Sequence, residues 1–172
     1  TKIRIQGKKF WTLFHLSKFI KKSNFDTLFV PSHVLPLSLP KNSVIMIHDV
    51  AFMHLKQSYS FFQHKYLRWS TNFAIKKASK ILVPSSATKN DLVKLFKCPL
   101  EKIQVIHHGF KKPTITDEKI EEETLKSPFF KHFILSKGGG YMLFVGRLET
   151  KKNLKNLLTG FSLFLKNNEN YK

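Results

Sequence analysis

Ser43-Val-Ile-Met-Ile47 is a continuous apolar run, and His48-Asp49 closes it. It does not alternate between apolar and polar residues, so it reads as a strand covered on both faces and not as the edge of an open sheet. Two comparable runs follow, Ile81-Leu-Val83 and Ile103 to Ile106, and Thr27-Leu-Phe-Val30 precedes it, ended by Pro31. Helical patterns fall between them. Phe62, Tyr66, Trp69 and Phe73 step by four, three and four, the spacing of an amphipathic helix of about five turns. Ser85 is a fitting N-cap for a helix carrying Leu92, Leu95 and Phe96. Before the first strand, Phe10, Leu13, Phe14 and Ile20 share one helical face.

Strand and helix in alternation predict an α/β fold, a Rossmann-like parallel sheet with helices on both faces. Ligands of such sheets bind beyond the carboxyl ends of the strands. His48, Ser85 and the pair His107-His108 all stand at such ends. The pattern then changes. Residues 111–138 are polar, charged and finally glycine-bearing, and read as a linker between a partial domain over 1–110 and the opening of a second domain over 139–172.

That opening is Tyr141-Met-Leu-Phe-Val-Gly146-Arg147-Leu-Glu-Thr-Lys151-Lys152-Asn153. It reads as a short buried strand, a tight turn at Gly146, a basic loop, and a helix striped by Leu154, Leu157, Leu158, Phe161 and Leu165. Cations in front of a helix start are unfavourable, because the helix dipole is already positive there. Arg147, Lys151 and Lys152 crowd that end, as they would around a phosphate or diphosphate. The other reading is a solvated basic loop.

Composition narrows the classes. The 172-residue chain is 42% hydrophobic, too apolar for disorder. It begins at Thr1 and ends at Lys172 within a helical pattern, which suggests a fragment. A lone Cys98 excludes a disulfide framework or a cysteine metal site and fits a reducing compartment. The histidines lack metal-ligand spacing. No apolar run approaches the ~20 residues of a membrane span. The net charge is +19, carried almost wholly by lysine, with arginine only at Arg4, Arg68 and Arg147. Readers of nucleic acid favour arginine. A basic nucleic-acid-binding module, or a non-catalytic membrane-binding protein, is nonetheless the alternative class. Against nucleic acid, the aromatic residues read as core stripes.

Six segments, in order, resemble one family. They are Phe25-Asp-Thr-Leu-Phe-Val-Pro-Ser-His33, Val44-Ile-Met-Ile-His-Asp-Val-Ala-Phe52, Ala78-Ser-Lys-Ile-Leu-Val-Pro-Ser85, Thr88-Lys-Asn-Asp-Leu92, Glu101-Lys-Ile-Gln-Val-Ile-His-His-Gly109 and Tyr141 to Asn153. The family is that of the retaining, two-domain glycosyltransferases of the GT-B, family 4 kind, and the Ile-His-Asp and Arg-Leu-Glu-Thr-Lys-Lys-Asn variants look mannosyltransferase-like. The resemblance implies a double-Rossmann architecture, with acceptor on the amino-terminal side and nucleotide sugar on the carboxyl-terminal side. It implies His48 beside the reacting sugar, with Asp49 as its helper or a turn former. Without the resemblance, His48 would read as a structural histidine bonding a carbonyl. It further implies Arg147, Lys152 and the turn at Gly146 against the donor diphosphate. No metal and no cofactor is expected. The expected partners are a nucleotide sugar such as GDP-mannose, a glycan or lipid-linked acceptor, and peripherally an acidic membrane, with no nucleic acid. The expected location is cytoplasmic, peripheral at the inner membrane face. The family's glycine-rich amino-terminal loop and its Glu-x7-Glu pair are not in the sequence, so the 172 residues alone are expected not to turn over substrate.

Overall fold

A computed structural model describes residues 2–7, 10–112 and 142–168, together with residues 114, 119, 122, 126 and 128. The chain divides into two units, Thr1–Gly109 and Phe110–Lys172.

In the first unit, β1 (Thr27–Val30), β2 (Asn42–Met46), β3 (Lys80–Val83) and β4 (Ile103–Val105) form a parallel sheet in the order of the chain. One register row crosses all four strands: Val30 pairs with Ile45, Ile45 with Ile81, and Ile81 with Ile103. All four side chains are buried, Ile45 and Ile81 completely. This row is the centre of the core, extended by Ile47, Val83, Val50, Phe52 and Leu92. The α/β, Rossmann-like sheet expected from the sequence is the one present. The burial differs at the edge. β1 is an edge strand, so Phe29 faces outward at 54% exposure where a buried strand was expected.

Helix α1 (Ser17–Lys22) continues a π-turn over Thr12–Leu16, and its buried stripe is Leu13, Ser17 and Ile20. The wider turn rotates Phe14 outward, and Phe10 lies before the helix with φ 53°. The predicted Phe10–Phe14 contribution to the core is therefore corrected: both rings are exposed. Buried Ser17 is satisfied, because its hydroxyl donates to the Leu13 carbonyl and accepts the Leu37 amide at 2.7 Å.

Helix α2 (Ala51–His54) is a single turn after the end of β2. Helix α3 (Phe61–Lys77) starts at a capping box, in which Ser60 accepts the Gln63 amide and the Gln63 side chain accepts the Ser60 amide. Its inward face is Ser70, Thr71, Ala74 and Ile75. The aromatic stripe that identified this helix divides: Phe62 is 81% exposed and Trp69 45%, while Tyr66 is half-buried and Phe73 packs against the core. A helix close-packed on its neighbours accepts small residues at the contact, and the Ser70 and Thr71 hydroxyls are satisfied by the Leu67 carbonyl within the helix itself. The sequence argument against nucleic acid, that these rings are core, holds for Phe73 and not for Phe62 or Trp69.

Helix α4 (Ser86–Phe96) is capped by Ser85, as the sequence indicated, through the Thr88 amide at 3.2 Å. It ends at Lys97 in the left-handed conformation, φ 55°, with the Lys97 and Cys98 amides returning to the Val93 and Leu92 carbonyls. A side chain there is strained, and glycine is not. Lys97→Gly is expected to raise stability by ~0.5–1 kcal/mol, read as a higher thermal midpoint. A lower midpoint would show that the lysine side chain offsets the strain.

In the second unit, residues 142–149 are irregular, a 3-10 turn covers Thr150–Lys152, and helix α5 spans Leu154–Lys166. The buried strand expected at 141–145 is corrected: Leu143 is 68% and Val145 84% exposed, and Tyr141 lies outside the described residues. A strand needs a paired neighbour for its amides and carbonyls, and the described residues of this unit hold no other strand. The stripe of α5 is present and partly covered: Leu154, Phe161 and Leu165 are half-buried, and Leu157 and Leu158 are exposed.

Candidate functional site

Three parallel strands deliver a histidine to their carboxyl ends, His33 after β1, His48 after β2 and His108 after β4. The rings meet. His48 and His108 stack with centroids 5.3 Å apart and planes at 25°, and His33 lies 5.5 Å from His48 on the other side. His48 is the middle ring of three.

Each histidine is held through the backbone of its neighbours. His48 Nε2 is 3.0 Å from the Pro31 carbonyl oxygen. A carbonyl only accepts, so Nε2 carries the proton, and the neutral ring keeps Nδ1 as an acceptor. The structural reading of His48, a ring bonding a nearby carbonyl, is thus met without occupying the other nitrogen. The His48 carbonyl accepts the Thr88 hydroxyl at 3.2 Å, which ties the strand end to the start of α4. His33 Nε2 is 3.0 Å from the Asp49 carbonyl oxygen. His107 Nδ1 donates to the Pro84 carbonyl at 3.0 Å.

Asp49 is exposed, and its Oδ1 accepts the Ala51 amide at 2.9 Å, which opens α2. That is the turn-forming part of its expected role. His33 was quoted in the sequence but not singled out, whereas the pair His107-His108 was placed with His48 at the strand ends. The signal that marks His33 and His108 is position: each stands three residues past the last residue of a parallel strand. Burial pushes the Cys98 thiol above its ordinary pKa, which keeps it protonated and unreactive.

Gly146, Arg147 and Lys152 lie in the second unit. A Cβ at Gly146 would stand 2.9 Å from the Phe144 ring, so the glycine allows that ring's approach. The expected tight glycine turn is corrected in one respect: the left-handed residue of this loop is Asn153, φ 55°, immediately before α5. Asn153 makes no side-chain cap, so the first amides of α5 are left without one.

The crowded cations are partly answered from within the loop. Glu149 binds Arg147 Nε at 2.9 Å with one oxygen and Lys151 Nζ at 3.0 Å with the other. The hydrogen bond from Lys151, and then the charge of Arg147, hold the Glu149 carboxyl below the usual carboxylate range. Ionised Glu149 therefore holds both cations at neutral pH, its small stabilising effect is present above the ordinary carboxylate pKa, and it is lost as pH falls through the lowered one. An incoming anion must compete with it. Glu149→Gln makes the release at neutral pH and is expected to tighten inorganic pyrophosphate binding roughly threefold by calorimetry. Unchanged affinity would mean that these cations do not meet the anion.

Among the described residues, no group of three or more His, Cys, Asp or Glu side chains is placed to hold a metal ion. Among them, too, no helix is long and apolar enough to cross a membrane.

The family model described as Glycosyltransferase Family 4 matches residues 2–111. No curated protein and no solved structure matches the chain.

Proposed function

The chain belongs to Glycosyltransferase Family 4, and from that membership we propose that it transfers a hexose, with mannose first among the candidates, from a nucleoside-diphosphate donor to a polysaccharide or lipid-linked acceptor with retention of configuration. Residues 1–110 are then the acceptor side, 139–172 the opening of the donor side, and 111–138 the connection. The observation that carries the reading is the placement of His48 at the carboxyl end of β2, with Nε2 pinned to Pro31 and Nδ1 left to accept a sugar hydroxyl.

Leaving diphosphate gains negative charge as its bond to the sugar breaks. Arg147, Lys152 and the uncapped amides at the start of α5 are the groups suited to meet that charge. Lys152 has no ion-pair partner among the described residues, unlike Arg147. In this reading the fixed cations supply the neutralisation and no metal ion is required. Asp49 supports the site by shaping the turn after His48.

The test is to join the chain to a donor-side segment that carries a Glu-x7-Glu pair and to incubate that protein with GDP-, UDP- and ADP-sugars and an acceptor panel, following free nucleoside diphosphate and the anomer formed by proton NMR. Acceptor-dependent release with GDP-mannose and a retained anomer is expected. Release with a different donor would correct the sugar. No release with any donor, from a protein folded by circular dichroism, would overturn the reading.

A further inference from the structure

Four histidines stand at this end of the sheet, and their ring nitrogens divide them. His33 Nε2 lies on the Asp49 carbonyl and His48 Nε2 on the Pro31 carbonyl, so each of these two rings braces the main chain beside the other. His107 Nδ1 donates to the Pro84 carbonyl. His108 alone of the four has neither nitrogen bonded to a described residue, and it is exposed.

The His108 ring is nonetheless held. The Ile106 amide donates to the Val83 carbonyl at 2.8 Å and the His107 ring holds Pro84, so the main chain is tied to the end of β3 up to the residue before His108. The ring itself then lies on His48, with centroids 5.3 Å apart and planes at 25°. Stacking engages the faces of a ring and leaves free its edge, where both nitrogens sit. An ordered ring with two unused nitrogens, beside His48 Nδ1, is spare hydrogen-bonding capacity at the ligand end of a parallel sheet.

We infer that His108 contacts the substrate and hydrogen-bonds a pyranose hydroxyl next to the one that His48 Nδ1 accepts. A neutral imidazole has one donor and one acceptor, and a hydroxyl is both, so the two fit in either tautomer. The chemistry of the ligand rests on the sugar-transfer reading; the placement of His108 does not. The competing role is a wall that keeps His48 in place, which needs the face of the ring and neither nitrogen. Two variants part these roles. His108→Phe keeps the face and loses both nitrogens, whereas His108→Gln keeps a donor and an acceptor and loses the ring.

The experiment is an NMR titration of the histidine ring signals of the full chain with methyl α-mannoside, which needs no turnover. The His48 and His108 signals should move together. His108→Phe should weaken binding about 10-fold with the thermal midpoint kept, and His108→Gln should stay within about threefold of the parent. Parent affinity in His108→Phe would overturn the contact and leave His108 as a wall. An equal loss in both variants would overturn it too, as would rings that no glycoside moves. Shifts with methyl α-glucoside in place of the mannoside would support the contact and correct the sugar. In the chain joined to the donor-side segment, the KM that rises in His108→Phe, for the nucleotide sugar or for the acceptor, identifies the molecule that carries the hydroxyl. Unchanged KM and kcat in that variant, beside an active parent, would overturn the contact and leave the transferase reading standing. A joined parent that transfers nothing would overturn the transferase reading, and the ring titration would still decide the contact.

Discussion

Ile81→Ala is expected to lower the unfolding free energy by ~2–5 kcal/mol, a large part of what a domain of this size possesses. Ile81 is fully buried on β3, and its row neighbours are Ile45 on one side and Ile103 on the other. Truncation removes the transfer energy of the deleted carbons and leaves a cavity on the covered face of the sheet, beside Ile45 and Ile103. Ile45 and Ile103 are held in register by the parallel ladder and cannot move in to fill that space, so relaxation recovers little. Urea unfolding followed by circular dichroism should show a lower midpoint with the slope kept. Ile103→Ala, in the same row at the β4 edge, should cost less, because an edge strand can shift. A loss under ~1 kcal/mol for Ile81→Ala would mean that the row is not the centre of the core.

The same row explains what could be read in the sequence. Continuous apolar runs at 43–47, 81–83 and 103–106 identify strands, and their alternation with helices identifies a parallel sheet. Periodicity gives the helix but not its inward side. In α3 the four-three-four spacing of Phe62, Tyr66, Trp69 and Phe73 marks the helix correctly, while the contact face is Ser70, Thr71, Ala74 and Ile75. Hydrophobicity assigns all four rings to the core, but close approach selects small side chains and only Phe73 packs at its margin. The run at 142–145 shows the converse. It has a strand's composition, yet composition supplies no pairing partner, and those residues stay irregular.

Site legibility divides in the same way. His48 could be found because it closes a strand within a family-like segment. His107-His108 could be placed at the same sheet end, but the stacking of His33 and His108 on His48 could not be read from spacings of 15 and 60 positions in the chain. Only the strand order brings the three carboxyl ends to one edge. In the second unit the basic residues were legible, but the answering role of Glu149 was not. It requires both carboxylate oxygens to face Arg147 and Lys151, which is a matter of loop geometry.

In the chain joined to a donor-side segment with a Glu-x7-Glu pair, His48→Ala is expected to lower sugar transfer at least ~100-fold, the ordinary scale for losing a positioned imidazole. The substitution removes the Nδ1 acceptor, but it also leaves the Pro31 carbonyl without its donor and removes the middle ring between His33 and His108. A structural role would therefore give a loss as well, and one variant does not separate the two. His48→Gln does. Its side-chain amide can still donate to Pro31, so the turn is held and the unfolding midpoint should stay near that of the parent. Its transfer rate should nevertheless stay low, because no imidazole remains. The loss should fall on kcat more than on KM if the ring acts chiefly as the sugar reacts, since an interaction made only then does not alter binding of the substrate. Recovery of transfer in His48→Gln would show that His48 holds the Pro31 turn and takes no part in the reaction. A parallel fall in thermal midpoint and in rate for both variants would say the same.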